Sequence, residues 1–341
     1  MSRRPTIADI ARAAGVSKGA VSYALNGRPG VSEATRERIL AIAAEMGFVP
    51  NRAARSLSVA SAQAVGIALR RSARTLGIEP FYMELISGIE AALSAESYGL
   101  TLQIVSSSEE ELEVYRRWWA ERRVDGVLLC DLRIRDERMP ELTGMGMPTV
   151  AIGGPLEREG VSAVWHDEVE PVVELLRYLH ALGHRRLVRV AGLSGLLHTA
   201  TRNGAFAEVP DLDFEKVTIY PSDYTGEEAA RLTRKVLTTR PRPTAILYDN
   251  DIMAVAGLGV AHELGLDVPG ELSMVSWEDT PLCRLTHPSL TAFSRDIPGY
   301  GKRAAEMLLS LMGEAEGAPV RSEQIPSARL IPRGSTGPAS H

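Results

Sequence analysis

Apolar residues near the start of the chain recur every three or four positions, the spacing of amphipathic helices, and from residue 64 onward they gather into short continuous runs. Ile7, Ile10 and Ala11 make an i, i+3, i+4 face. Thr6 and Asp9 before them are spaced as a capping box, so a helix is predicted to begin at about Ile7. Gly15 can turn the chain without steric cost, and Val16 can plug the angle between two helices. Ser17 is a second N-cap. Ala20, Val21, Ala24 and Leu25 predict the buried face of a second short helix ending at Asn26-Gly27. Ser32 is expected to cap a third helix, with Ile39, Ile42, Ala43 and Met46 as its stripe and Gly47 as its end.

Beyond Ala64 the runs AVGIAL, GLTLQIV, VDGVLLC and PTVAI, then VSAVW, RLVRVA, TAILY and LSMVSW, alternate with amphipathic segments at Phe81 to Ser97, Glu109 to Arg122, Pro171 to Leu182, Gly226 to Thr238 and Asp251 to Leu264. Alternating strands and helices imply parallel sheets covered on both faces. Eight strands in two sets of four predict two α/β subdomains. The expected fold is therefore an all-α helix-turn-helix head on an α/β body of two doubly wound parallel-sheet subdomains. Ligands of such sheets sit at the carboxyl ends of the strands, so the cleft between the halves is the default small-molecule site.

Charge sharpens the division. Residues 1–60 carry nine basic and four acidic side chains, a net of +5, whereas the remainder carries −10. A basic head on an acidic body is the footprint of nucleic-acid binding. Two short helices joined by a glycine turn form the arrangement in which the second enters the major groove. Its outward residues are Lys18, Gly19, Ser22 and Tyr23; the alternative is an ordinary helical hairpin with a solvated polar face. A run of about 18 apolar residues is missing, as is a signal-peptide core in MSRRPTIADI, so a soluble, cytoplasmic protein with no membrane partner is expected. Cys130 and Cys283 lack metal-ligand spacing and read as two reduced thiols in a packed body.

The stretches TIADIARAAGVSKGAVSYALNG and VSEATRERILAIAAEMGFVPNRAARSL resemble the head and hinge of the lactose-repressor/galactose-repressor (LacI/GalR) family of bacterial transcription regulators, with later segments LGHRR, NDIMA and HPSLT continuing the match. The resemblance implies a periplasmic-binding-protein-like core after the head. It places Thr6, Ser17, Ser22 and Asn26 at phosphate contacts and Lys18, Gly19 and Tyr23 at base-reading positions. Tyr23 departs from the family's frequent Arg, and Gly19 has no side chain to read with. Asn51 to Leu57, NRAARSL, matches the hinge that folds into a helix on DNA, with Leu57 at the position of a leucine wedge. The alanines favour a helix, Arg52 and Arg55 can neutralise phosphates, and an apolar wedge can unstack a minor-groove step. A segment this short is not stable as a helix alone in water. The domain limits that follow are 1–50 for the head, 51–63 for hinge and linker and 64–335 for the core. The core divides into a first subdomain at about 64–160 plus part of 291–335 and a second at about 161–290. A polar, glycine- and proline-bearing tail at 336–341 is expected to be disordered.

Within the body, Phe81 and Tyr82 stand at the start of a helix facing the cleft and could stack on a sugar or base. Asn250 sits just beyond the TAILY strand. By resemblance Arg202 aligns with the family's effector-donating arginine, Tyr224 with an often aromatic position, and Glu278 with a usual Asp. Charged and amide groups beside rings suit a polyhydroxylated effector, a sugar. Gly153-Gly154 in place of a frequent Asp, Pro171 in place of a frequent Gly, and a short segment from Glu208 to Tyr220 depart from the family pattern. His180 and His184 have the i, i+4 spacing of a metal pair, but Gly183 between them is a helix end, so no metal is expected. Gly257-Leu258-Gly259 falls inside a predicted helix rather than in a strand-to-helix turn, and no cofactor is expected.

These readings converge on a regulator, most simply a repressor, that binds a palindromic double-stranded DNA operator as a homodimer and answers to a small-molecule effector. The polar tail lacks leucine heptads, so a dimer is expected. A solute-binding protein and an α/β enzyme are the competing classes. The basic head opposes the first; the second lacks a nucleophile or cofactor motif. An activator or a corepressor-dependent repressor fits the same residues.

Overall fold

The computed structural model describes residues 5–48, 61–71, 77, 79–156, 160–208, 212–314, 317 and 319–340. The hinge residues Asn51, Arg52, Arg55 and Leu57 lie outside that set. The chain falls into two units, one ending at Ala62 and the other starting at Gln63.

The first unit holds α1 (Ile7–Ala14), α2 (Lys18–Leu25) and α3 (Glu33–Glu45). Asp9 N–H donates to Thr6 Oγ1 at 3.4 Å while Thr6 N–H donates to Asp9 Oδ2 at 3.0 Å, completing the capping box. Gly15 takes the left-handed conformation at φ 64°, and Ser17 caps α2 by accepting from Ala20 N–H at 3.1 Å. Ser32 occupies the N-cap of α3, but its hydroxyl pairs with Thr35 Oγ1 at 2.9 Å instead of the backbone. Ile10, Val21 and Ile39, from one helix each, are fully buried in a shared core.

The second unit has two six-stranded sheets. Its elements in chain order are β1 (Ala64–Leu69), α4 (Pro80–Ala95), β2 (Gly99–Ile104), α5 (Ser108–Ala120), β3 (Gly126–Leu129), α6 (Arg138–Gly144), β4 (Thr149–Ile152), β5 (Ser162–Trp165), α7 (Glu170–Ala181), β6 (Arg186–Ala191), α8 (Leu197–Glu208), β7 (Lys216–Pro221), α9 (Gly226–Thr238), β8 (Ala245–Tyr248), α10 (Asp251–Glu263), β9 (Ser273–Ser276), α11 (Pro281–Leu285), β10 (Thr291–Ser294), α12 (Ile297–Met312), β11 (Ser322–Gln324) and β12 (Arg329–Ile331). The first sheet runs β11-β5-β4-β3-β1-β2, all parallel; the second runs β12-β10-β9-β8-β6-β7, with only the β10–β12 pair antiparallel. Strand alternation sends Val188, Ile246 and Met274 into one core and Leu187, Leu247 and Val275 into another, so apolar layers cover both faces of the second sheet.

Two strand assignments and the expected disorder of the tail need correction. VSAVW, assigned to the second set, is β5 of the first sheet, pairing Ala163 with Ala151 on one side and Ser322 on the other. KVTIYP and TAFS supply β7 and β10 instead, runs whose half-buried or short patterns carry a weak periodic signal. Helix α12 packs with Tyr82, Leu85 and Ile89 of the first lobe, so the chain crosses between lobes after Trp165, after Ser294 and after Gln324. The tail is also ordered from 336 to 340. Ala339 N–H donates to Leu182 O at 2.8 Å, Gly337 N–H donates to Ser273 Oγ at 3.1 Å, and Gly337 O faces His184 Nε2 at 3.1 Å. A polar segment of this kind is held through its own backbone groups, a source of order that composition does not reveal.

The lobes also meet at an antiparallel bridge between Arg133 and Leu196, flanked by Leu197 N–H donating to Leu132 O at 2.7 Å. Below it Arg138 is buried between Glu111, at 2.7 Å, and Asp136, at 2.6 Å, and Arg133 also pairs with Glu111.

Candidate functional site

Between the lobes lies a cleft of about 650 Å³ of empty space, solvent-facing volume included. Much of its wall comes from residues one to three places past the carboxyl ends of strands. Arg71 follows β1, Asp131 follows β3, Gly153 follows β4, and His166 and Glu168 follow β5. From the other lobe Asp249 follows β8, Glu278 follows β9 and Arg295 follows β10. Parallel strands ending at one level bring these groups together, as the topology of such sheets dictates.

Most of the charge is spent in pairs. Arg189 donates to both oxygens of Asp249 at 2.8 and 2.7 Å, with neither side chain exposed. Arg202 donates to both oxygens of Glu168 at 2.6 and 3.1 Å, and its guanidinium carbon lies 4.3 Å from the ring centroid of Trp277. Burial alone would push Glu168 up; Arg202 and His166 outweigh it, and the carboxyl falls to about 2. Arg71 donates to Asp131 at 2.9 Å, and Tyr82 donates its hydroxyl to the other Asp131 oxygen at 2.8 Å. Burial lowers His166 and His198 to about 4, so both imidazoles are neutral at physiological pH and His198 can pair with Tyr224 Oη, 2.9 Å away. Gly192 leaves no room for a Cβ beside the Tyr224 ring, which seats the aromatic face toward the cleft.

Phe81, Tyr82, Arg202, Tyr224 and Glu278, singled out from sequence, all line this cleft. Asn250 does not. It is the N-cap of α10, accepting from Met253 N–H at 2.8 Å and donating to Tyr224 O at 3.3 Å, and its influence reaches the cleft through a hydrogen bond to Glu79. The strand-end argument that selected Asn250 belongs to its neighbour Asp249. Sequence reasoning missed Arg71, Glu79, Asp131, His166, Glu168 and Arg295. The signal available was a charged or polar residue directly after an apolar run, as in AVGIALRR, GVLLCD and SAVWHDE. His180 and His184 turn apart: His180 pairs with Asp213, whereas His184 is buried against Thr244 Oγ1 at 2.9 Å. Gly257 and Gly259 lie within α10, and both cysteines are buried and free.

In the head, Lys18, Gly19 and Tyr23 stand exposed on one end and flank of α2, with Thr6 and Ser17 exposed at helix starts. Tyr23 is 44% exposed although it is the largest side chain of that helix. Ser22 and Asn26 are half-buried, Asn26 Nδ2 donating to Ser22 O at 2.9 Å. A Cβ added at Gly19 would meet only Ser17 Oγ, at 3.7 Å, so the position offers a flat backbone surface. This geometry can present a lysine ammonium, hydroxyls and an aromatic edge to a groove.

Residues 6–51 match the bacterial regulatory proteins of the lacI family, and residues 176–336 match the periplasmic binding protein-like domain. The chain is 30% identical over 325 residues to the HTH-type transcriptional regulator CelR of Thermobifida fusca, covering 94% of this chain and 95% of that protein. The solved CelR–cellobiose complex aligns at 28% identity with a TM-score of 0.71, over 97% of this chain and all of that one. The lac repressor dimer bound to operator and an anti-inducer shares the fold, with a TM-score of 0.83 at 22% identity over 98% of this chain and all of that one. Helical head, paired sheets and these likenesses agree: the chain belongs to the LacI family of bacterial transcriptional regulators.

Proposed function

We propose that this protein is a repressor that binds a palindromic operator as a homodimer and is controlled by a sugar-class effector in the cleft between its lobes. The observation that carries the reading is the cleft itself, where rings of both lobes, Tyr82 and Tyr224, line one space beside the Arg71 guanidinium and among fixed ion pairs at strand ends. Rings that pack on sugar faces beside prepaid donors and acceptors suit a polyhydroxylated ligand. That CelR is solved with cellobiose supports the class. Phe81, Arg202 and Glu278 complete the proposed effector set, with Asn250 as a supporting residue behind it.

On the DNA side, Thr6, Ser17, Ser22 and Asn26 are assigned to phosphates, and Lys18, Gly19 and Tyr23 to base edges. The resemblance assigns Asn51, Arg52, Arg55 and Leu57 to a hinge that grips the minor groove. Effector binding changes the lobes' arrangement and thereby the affinity of the head for its operator, a coupling that works equally in both directions. A protein acting on the chromosome works in the cytoplasm, and no described helix is long and apolar enough to cross a membrane. The role is non-enzymatic.

The test is a fluorescence-anisotropy titration into DNA from upstream of the protein's own gene, at two salt concentrations, with and without a panel of sugars. Salt-sensitive binding that exceeds random DNA by ~10³ or more, and that one sugar weakens, is the expected result. Specific binding strengthened by a ligand would instead make that ligand a corepressor. Binding no better than random DNA would overturn the reading.

A further inference from the structure

The ion pairs of the cleft leave a remainder. Arg71 takes Asp131, Arg202 takes Glu168, and Arg189 takes Asp249. Arg295 reaches one oxygen of Glu278 at 3.2 Å. Glu79 has no ion pair among the described residues. It comes from the first lobe, just ahead of α4, and Glu278 comes from the second, just past β9. Each is 7% exposed, each lines the cleft, and each keeps one buried carboxyl oxygen, Oε2, without a hydrogen-bond partner. The Glu79 charge disfavours ionisation of Glu278, and Asp251 disfavours that of both.

Two buried carboxyls contributed to one cleft by opposite lobes, each with an unpartnered oxygen, form an arrangement that a neutral hydroxyl satisfies poorly. A hydroxyl donates one hydrogen and leaves the repulsion standing. An ammonium donates three, can serve the unpartnered oxygens of both carboxyls, and supplies a positive partner that Glu79 lacks among the described residues and that Glu278 has only in Arg295. We propose that the effector carries a protonated amine, an amino sugar being the class that fits, with its nitrogen seated between Glu79 and Glu278. The inference rests on the cleft being the effector site. Burial, with Asp131 and Asp251 near Glu79 and with Glu79 and Asp251 near Glu278, pushes Glu79 up to about 7 and Glu278 up to about 8, so in the empty cleft the pair holds protons that an arriving ammonium would displace.

The experiment is calorimetric titration of the full-length protein at pH 7 with matched pairs: glucosamine and glucose, galactosamine and galactose, mannosamine and mannose, with cellobiose alongside. At least one amino sugar is expected to bind tenfold or more tighter than its hydroxyl parent. Its binding heat should change with the buffer's ionisation heat, because protons leave the site. Glu79→Gln and Glu278→Gln should each erase the preference for the amine while leaving the thermal midpoint at or above that of the unmodified protein. A hydroxyl sugar that binds as tightly as its amine overturns the inference and leaves the cleft as the effector site. Failure of every amine to bind also overturns it; if the neutral sugars fail as well and none alters operator binding, the sugar-effector reading falls with it.

Discussion

The guanidinium carbon of Arg71 stands 5.4 Å from the ring centroid of Tyr224, which sets a first-lobe cation on a second-lobe aromatic face. The same guanidinium lies 5.8 Å from the ring of Tyr82 and pairs with Asp131. One side chain therefore joins both walls of the cleft. Arg71→Ala removes the cross-lobe contact and leaves the half-buried Asp131 with a tyrosine hydroxyl as its remaining side-chain partner. A loss of about 2 kcal/mol is expected in denaturant unfolding, because a half-buried carboxylate loses its cation and two rings lose a contact. Arg71→Lys should recover only part of it, since an ammonium cannot serve the rings and the carboxylate with one plane.

Beneath the lobe-to-lobe bridge, Arg138 and Glu111 are each 1% exposed at the side chain and bonded at 2.7 Å. Arg138→Met should destabilise by about 3–5 kcal/mol, leaving Glu111 and Asp136 short of their shared cation. The paired change Arg138→Met with Glu111→Leu should cost less than the sum of the two single changes, although Asp136 and Arg133 still lose a charged partner, and a double-mutant cycle would measure the coupling. Independent, additive effects would contradict the network.

Stability should depend on pH with opposing signs. Glu79 and Glu278, raised to about 7 and about 8, bind protons in the folded state that the unfolded chain has released, so stability falls as pH rises from about 4.5 to 8. The groups facing them, Arg71, Asp131 and Asp251 around Glu79, and Arg295, Arg202 and Asp251 around Glu278, set that balance. His166 and His198, lowered to about 4, stay neutral in the folded state while the unfolded chain protonates, so their contribution rises with pH up to about 6.5. The two effects oppose below pH 6.5, and above it the carboxyls act alone. The thermal midpoint should therefore drop between pH 6.5 and 8, and Glu278→Gln should make that drop shallower. A midpoint that climbs over the same interval would contradict the assignment.

Ser335 stitches the end of the second sheet. Its hydroxyl accepts from Thr291 N–H at 2.8 Å and donates to Met274 O at 2.6 Å, while its carbonyl accepts from Met274 N–H at 2.8 Å. Ser335→Ala orphans a buried amide and should cost about 1–3 kcal/mol, readable as a lower denaturant midpoint with unchanged DNA affinity. Ser340→Ala, at an exposed position, is the control and should change little.

The head was legible because caps, glycine turns and periodic apolar faces are local signals; Thr6, Gly15 and Ser17 do in the structure what their spacing predicts. The rings and Arg202 were legible in the body for different reasons, Phe81 by its place at a helix start and Arg202 by resemblance alone. Arg71, Asp131 and His166 were not, since each is a lone polar residue after an apolar run and acquires meaning only when parallel strands bring their ends to one level. The misplacement of β5 has the same origin. Nothing in VSAVW specifies which sheet it joins: it pairs with the preceding β4 on one side, and its other neighbour, Ser322 to Gln324, arrives more than 150 residues later.

The three crossings between lobes also govern how the protein is made. When β6 leaves the ribosome, the first lobe has five of its six strands but still lacks α12, whose Ile297, Tyr300 and Ala304 fill its core. That lobe must wait through the synthesis of nearly the whole second lobe with an apolar face uncovered. Newly made chains are thus exposed to chaperones and to premature association over that interval, and substitutions in α12 should lower the yield of folded protein before they alter what the finished protein binds.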